Sequence, residues 1–189
     1  WISKLRELLR SLSYYFVTRV HNERYKTPSW EFQVPDHFKL TDEDIDRFVK
    51  ILKPCIEQAL FNKVGMQDTN LTLQYLASLR PNIIIPMTLE KLYSSMSSLT
   101  EPHKLTSSMM AVIACGRYFP ASATQEILDE FKPRMCAFNS AEMARTVKCL
   151  ELFLPFCTKP EEADIGYKLW FEELMTLWDV CHDDTAWEN

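Results

Sequence analysis

Ile45, Phe48, Val49, Leu52, Ile56, Ala59 and Leu60 stand at offsets 0, 3, 4, 7, 11, 14 and 15, which puts all seven on one face of an α-helix. The same spacing recurs along most of the chain, and strict apolar-polar alternation over four or more residues is nearly absent. Leu5, Leu8, Leu9, Leu12, Phe16 and Val20 form such a stripe near the start, and Ile85, Leu89, Leu92, Met96 and Leu99 form another. Tyr167, Trp170, Phe171, Leu174, Leu177 and Trp178 form a third near the end. Ile83-Ile84-Ile85 alone suits a strand, but the flanking prolines and the stripe that follows favour a helix start. The chain is therefore read as all-α.

Helices are expected at about 2–22, 41–62, 67–80, 83–99, 102–118, 123–138, 140–157 and 160–182. Thr41 suits an N-cap, with Asp42, Glu43 and Asp44 where the helix dipole favours negative charge, and Pro54 is expected to kink that helix. Asn139 with Glu142, and Thr158 with Glu161, have capping-box spacing. Thr100, Glu101 and Pro102 stop one helix and start the next. Between the first two helices, residues 23–40 form a long connection containing Pro28 and Pro35. Eight helices make four hairpins of about 47 residues, the length of HEAT or armadillo units. The expected architecture is one helical-repeat segment, an α-solenoid spanning 1–189, with a single irregular bundle as the alternative. A chain that opens on Trp1 without Met is expected to be an excerpt of something longer.

Composition removes several function classes. A net charge of −5 argues against a duplex-DNA binder, and the chain has no apolar run long enough for a membrane span. Three glycines leave no phosphate-cradling loop, and HExxH, GxSxG and EF-hand patterns are absent. Six scattered cysteines and four distant histidines lack metal-ligand spacing, and the cysteines read as free, mostly buried thiols. Cys181-His182-Asp183-Asp184 resembles a ligand cluster, but neighbours on a helix point in different directions. His103 reads as a surface residue early in a helix. An enzyme has no catalytic constellation to rest on, and no metal or cofactor is expected from the residues.

Charge is unevenly placed. Lys4, Arg6, Arg10, Arg19, Arg24 and Lys26 face only Glu7 and Glu23 in residues 1–27, whereas residues 160–189 hold nine acidic groups against Lys168. Both read first as solvated helix faces. The sharper reading makes Lys4, Arg6 and Arg10 candidates for an anionic ligand or partner. Trp30 and Phe32, in the proline-bounded connection, are candidates for partner contact, with stapling of that connection as the alternative.

Four stretches carry a family resemblance: "RVHNERYKTPSW" (19–30), "VPDHFKLTDEDIDRFV" (34–49), "LASLRPNIIIPMTLEKLYSSMSSLTEPHKLTSSM" (76–109) and "GRYFP" (116–120). Together they resemble the proteasome activator complex subunit 4 family of very large HEAT-repeat caps. The stretch 76–109 is the most specific, because its Arg-Pro turn, Ile-Pro helix start and Thr-Glu-Pro-His turn keep a fixed register. The resemblance implies a segment from the N-terminal part of a non-enzymatic, ATP-independent solenoid dome. Such caps sit on the α-ring of the 20S proteasome, open its gate and promote ubiquitin-independent degradation of peptides and proteins. Acetylated histones are among the implied substrates, and DNA repair, nucleus and cytoplasm are the implied settings. Inositol phosphates bind basic openings in some members, with no ligand residue mapped onto this chain. No residue of this sequence is expected to correspond to the family's C-terminal docking tail or bromodomain-like region, so no functional residue is carried over from them. The alternative is a HEAT-type scaffold or transport adaptor with other protein partners.

Overall fold

The computed structural model describes residues 2–30, 33–61, 65–96 and 102–120, together with 126, 127, 129, 130, 171 and 175. Five α-helices lie among them: α1 (Ile2–Tyr25), α2 (Asp42–Ala59), α3 (Met66–Leu79), α4 (Pro81–Met96) and α5 (Pro102–Cys115). The helices expected at 123–138, 140–157 and 160–182, with their capping boxes, lie outside the described residues but for isolated positions. Of the last stripe only Phe171 is described, and it is exposed rather than buried.

The chain divides into two compact units, residues 1–118 and 119–189. In the first, α3 packs on α1, α2, α4 and α5, and α4 packs on α5. An all-α hairpin arrangement of this kind is a HEAT-type fragment.

Local chemistry sets the helix starts. The Thr41 hydroxyl accepts the Asp44 backbone N–H at 3.2 Å, while the Asp44 carboxylate accepts the Thr41 N–H at 3.0 Å, a closed capping box. α2 continues through Pro54, and Ile45, Val49, Leu52 and Ile56 are buried along it as their spacing predicts. Gly65 precedes α3 at φ 78°, the left-handed region where a Cβ is costly. Arg80 is a one-residue joint between α3 and α4. Proline follows it, which disfavours helical backbone at Arg80, and its φ −142° and ψ 78° break the run. Its N–H still closes α3 on the Leu76 carbonyl at 2.9 Å, and its own carbonyl accepts the Ile83 N–H at 3.1 Å.

The core is deepest around Ile45, Ile56, Leu60, Leu73, Leu76, Ile84, Met87 and Leu92. The buried polar side chains described on α4 and α5 are all small, Thr88, Ser95, Ser107 and Ser108. The Ser95 and Ser108 hydroxyls lie 2.9 Å apart, both within reach of the Lys91 carbonyl, and the Thr88 hydroxyl donates to the Ile85 carbonyl at 2.8 Å. Cys115, also buried there, has its thiol pushed up to about 12 by desolvation and is a packing residue rather than a nucleophile. Cys55, by contrast, is exposed.

The first helix departs from its expected orientation. Leu5, Leu8 and Leu12 are exposed, Leu8 by 59%, while Arg6, Leu9, Ser13 and Val20 are buried. α1 carries apolar residues on two adjoining faces, so periodicity alone does not fix its rotation. Its contacts with α3 do. Phe16 is half-buried, its ring stacked on Phe48 of α2 with centroids 3.7 Å apart.

Candidate functional site

Lys4, Arg6 and Arg10 share one helix but three different surroundings. Lys4 is exposed and pairs with Glu7 at 3.0 Å, one turn along. Arg10 crosses to α3, its Nε 3.1 Å from Asp68. Arg6 is 2% exposed, and its Nε, Nη1 and Nη2 have no hydrogen-bond partner among the described residues. It lies among Leu9, Ile56, Ala59, Thr69 and Thr72, around a void with no room for a water molecule. Gly65 closes this space: a Cβ there would sit 2.7 Å from Arg6 Nη1. The three cations therefore do not converge on one anion. Trp30 is 91% exposed, and Phe32 lies outside the described residues.

A denser cluster forms where α1 ends and α2 begins. Glu23 receives Arg19 Nε at 2.7 Å and the Leu40 backbone N–H at 2.8 Å. Burial opposes its ionisation, but these donors outweigh burial and hold its carboxyl below the usual range. Arg19 Nη2 also donates to the Phe38 carbonyl at 3.0 Å, so the end of the long connection is pinned to α1. Asp42 Oδ1 accepts from both Arg24 Nη2 and Arg80 Nη2, each at 2.8 Å. The Arg24 hydrogen bond, then that of Arg80, keeps the Asp42 carboxyl low. Arg80 also donates to Asp46, to the Asp42 carbonyl at 3.0 Å and to the Leu79 carbonyl at 3.1 Å. Asp46 and Asp42 hold its guanidinium more firmly charged in return.

Beside this cluster opens a cleft of about 450 Å³ between α1, α3 and the 3-10 turn Gly116–Tyr118. Its wall includes Val20, His21 and Arg24 of α1, Ile45 of α2, and Arg80, Arg117 and Tyr118. The arginines come from positions 24, 80 and 117, so no local motif advertises them. The only signal in the sequence is that each sits at a helix end. Among the described residues, no group of three or more His, Cys, Asp or Glu side chains could hold a metal ion, and no helix is long and apolar enough to cross a membrane.

The fold and its site define an all-α, HEAT-type repeat segment with salt-bridged joints. Residues 1–124 match the family described as "Proteasome activator complex subunit 4, mid HEAT repeats region". The chain is 42% identical over 131 residues to proteasome activator complex subunit 4 of Homo sapiens, covering 66% of this chain and 7% of the relative. It is 44% identical over 117 residues to subunit 4B of Danio rerio, covering 62% and 6%, and 40% identical over 131 residues to the Xenopus laevis protein, covering 66% and 7%. The chain belongs to the proteasome activator complex subunit 4 family and is a HEAT-repeat region of that family. It spans about 7% of the length of these relatives.

Proposed function

We propose that this chain is one section of the wall of a 20S proteasome cap. Through the parent protein it sits on the α-ring, helps hold the gate open and promotes ATP- and ubiquitin-independent degradation of peptides and of proteins such as acetylated histones. The work is done in the nucleus and cytoplasm, with histone turnover linking it to DNA repair. The segment contributes shape and contact surface and carries no catalytic group. The observation that carries this reading is the family match over residues 1–124, with 40% identity or more to the relatives. The salt-bridged joints at Arg80 and Glu23 suit the role, because they fix the angle between successive helices. No cofactor is assigned, and an inositol phosphate held by basic openings of the parent fits the family without involving named residues here.

The test is a native gel of the purified parent protein with 20S proteasome, read by fluorogenic-peptide hydrolysis in the band. Slower-migrating, more active 20S is expected. Absence of both shift and activation, with an intact C-terminus, turns the reading to a HEAT-type scaffold or transport adaptor for other partners.

A further inference from the structure

The cleft beside the Arg24–Asp42–Arg80 cluster has the charge and lining of a recognition site. Three guanidiniums, those of Arg24, Arg80 and Arg117, stand on its wall, and no carboxylate does among the described residues. Asp42 and Asp46 offset two of those charges from outside the cleft, which leaves a surplus of one. Arg80 is largely spent, since its Nε and both terminal nitrogens already donate to Asp46, Asp42 and Leu79. Arg24 donates one N–H to Asp42 and keeps the rest. Arg117 is exposed and makes no hydrogen bond or ion pair with the described residues. Deeper in, Val20 and Ile45 give the cleft an apolar floor.

We propose that this cleft binds an acidic peptide segment of a partner protein, one carboxylate on Arg117 and Arg24 with a neighbouring aliphatic side chain on the Val20–Ile45 floor. A surplus of one positive charge matches a monoanionic carboxylate better than a phosphate near charge −2, whose second charge would lie close to Asp42. The planar guanidinium of Arg117 can take both carboxylate oxygens at once. Ligand pockets in general combine a few polar anchors with an apolar lining, and about 450 Å³ is within their size range. The site does not depend on contact with the proteasome.

The experiment is a fluorescence-anisotropy titration of the purified parent protein, without proteasome, against a labelled pentapeptide carrying one glutamate between two leucines. Its glutamine counterpart is the control. The glutamate peptide is expected to bind about tenfold tighter, the size of one charge-assisted hydrogen-bonded pair. Arg117→Glu should abolish that preference, and Arg117→Lys should keep part of it. Equal binding of the two peptides, or a preference that survives Arg117→Glu, overturns the proposal. So does displacement of the peptide by inorganic phosphate at concentrations where acetate has no effect, which would mark a phosphate site. Because no proteasome is present, failure here leaves the capping reading intact, and failure of the native-gel test leaves this one intact.

Discussion

The α4–α5 and α1–α3 seams are both helix-on-helix contacts in the same unit, yet they bury different chemistry. On α4 and α5 the buried side chains include Ile84, Ile85, Met87, Leu89, Leu92, Met96, Met109, Ala111 and Val112, and the buried polar ones, Thr88, Ser95, Ser107 and Ser108, are small and uncharged, with Ser95 paired to Ser108 and Thr88 to the Ile85 carbonyl. Where α1 meets α3, the buried set includes Arg6, Ser13, Thr69 and Thr72 with Leu9, Leu73 and Leu76, bordered by the Arg10–Asp68 pair. Thr69 and Thr72 return their hydroxyls to carbonyls one turn back, but Arg6, Ser13 Oγ and Asn70 Oδ1 have no partner among the described residues. The first seam draws its stability from apolar burial. The second gives up part of that gain to desolvated polar atoms, and depends more on geometry than on area.

The largest expected effect breaks the first seam. Leu92→Ala, at a side chain 1% exposed, should lower the stability of the 1–189 chain by about 2 to 5 kcal/mol in chemical denaturation. Leu8→Ala, on the outward face of α1, should change it by less than about 0.5 kcal/mol. Similar losses at the two positions would mean that α1 is buried on the opposite face and would dissolve the contrast.

That pair of leucines also marks where the sequence was legible. On α2 the apolar stripe agrees with the Thr41 cap, and on α4 it agrees with Pro81 in the first turn, so Ile45, Val49, Leu52, Ile85, Leu89 and Leu92 are readable as core. On α1 the leucines cover more than one face, and the choice between them is made by α3, about 60 residues later in the chain. Reading Leu5, Leu8 and Leu12 inward therefore put Arg6 outside, where its charge suggested a ligand. The Arg24–Asp42–Arg80 cluster was hidden for a related reason. Its members are 18 and 38 residues apart and meet only because α3 ends beside the start of α2. By contrast, the stop at Arg80-Pro81 and the box at Thr41 are local events and were visible as such.

Arg6 sharpens the comparison from the other side. If an unpartnered guanidinium weakens the α1–α3 seam, then Arg6→Met, which keeps length and adds apolar contact, should raise stability by about 1 to 4 kcal/mol. The readout is a higher urea midpoint at unchanged slope. A loss of similar size would show that the guanidinium is hydrogen-bonded in solution, and that the seam is a paired polar network after all.

Gly65→Ala should cost about 1 to 2 kcal/mol, because alanine at φ 78° is strained whatever the space around it. A second contribution comes from Arg6, whose Nη1 and Cδ would lie 2.7 and 3.0 Å from the new methyl group. The two parts separate in a double-mutant cycle: in the Arg6→Met background only the backbone part should persist. If the cost is the same in both backgrounds, the guanidinium yields freely and Gly65 serves the turn alone.

Arg10→Gln gives the smallest expected effect and the finest test of the second seam. Both partners of the Arg10–Asp68 pair are partly exposed, so the attraction is screened by water and the long arginine side chain loses freedom in making it. A loss of under about 1 kcal/mol is expected at low salt, and it should shrink further as salt is added. A larger, salt-insensitive loss would mean that the pair is desolvated and orients α1 on α3. The rotation that hides Arg6 and exposes Leu8 would then be set by this ion pair, whereas a small, screened loss leaves that rotation to Leu9, Val20 and the Phe16–Phe48 stack.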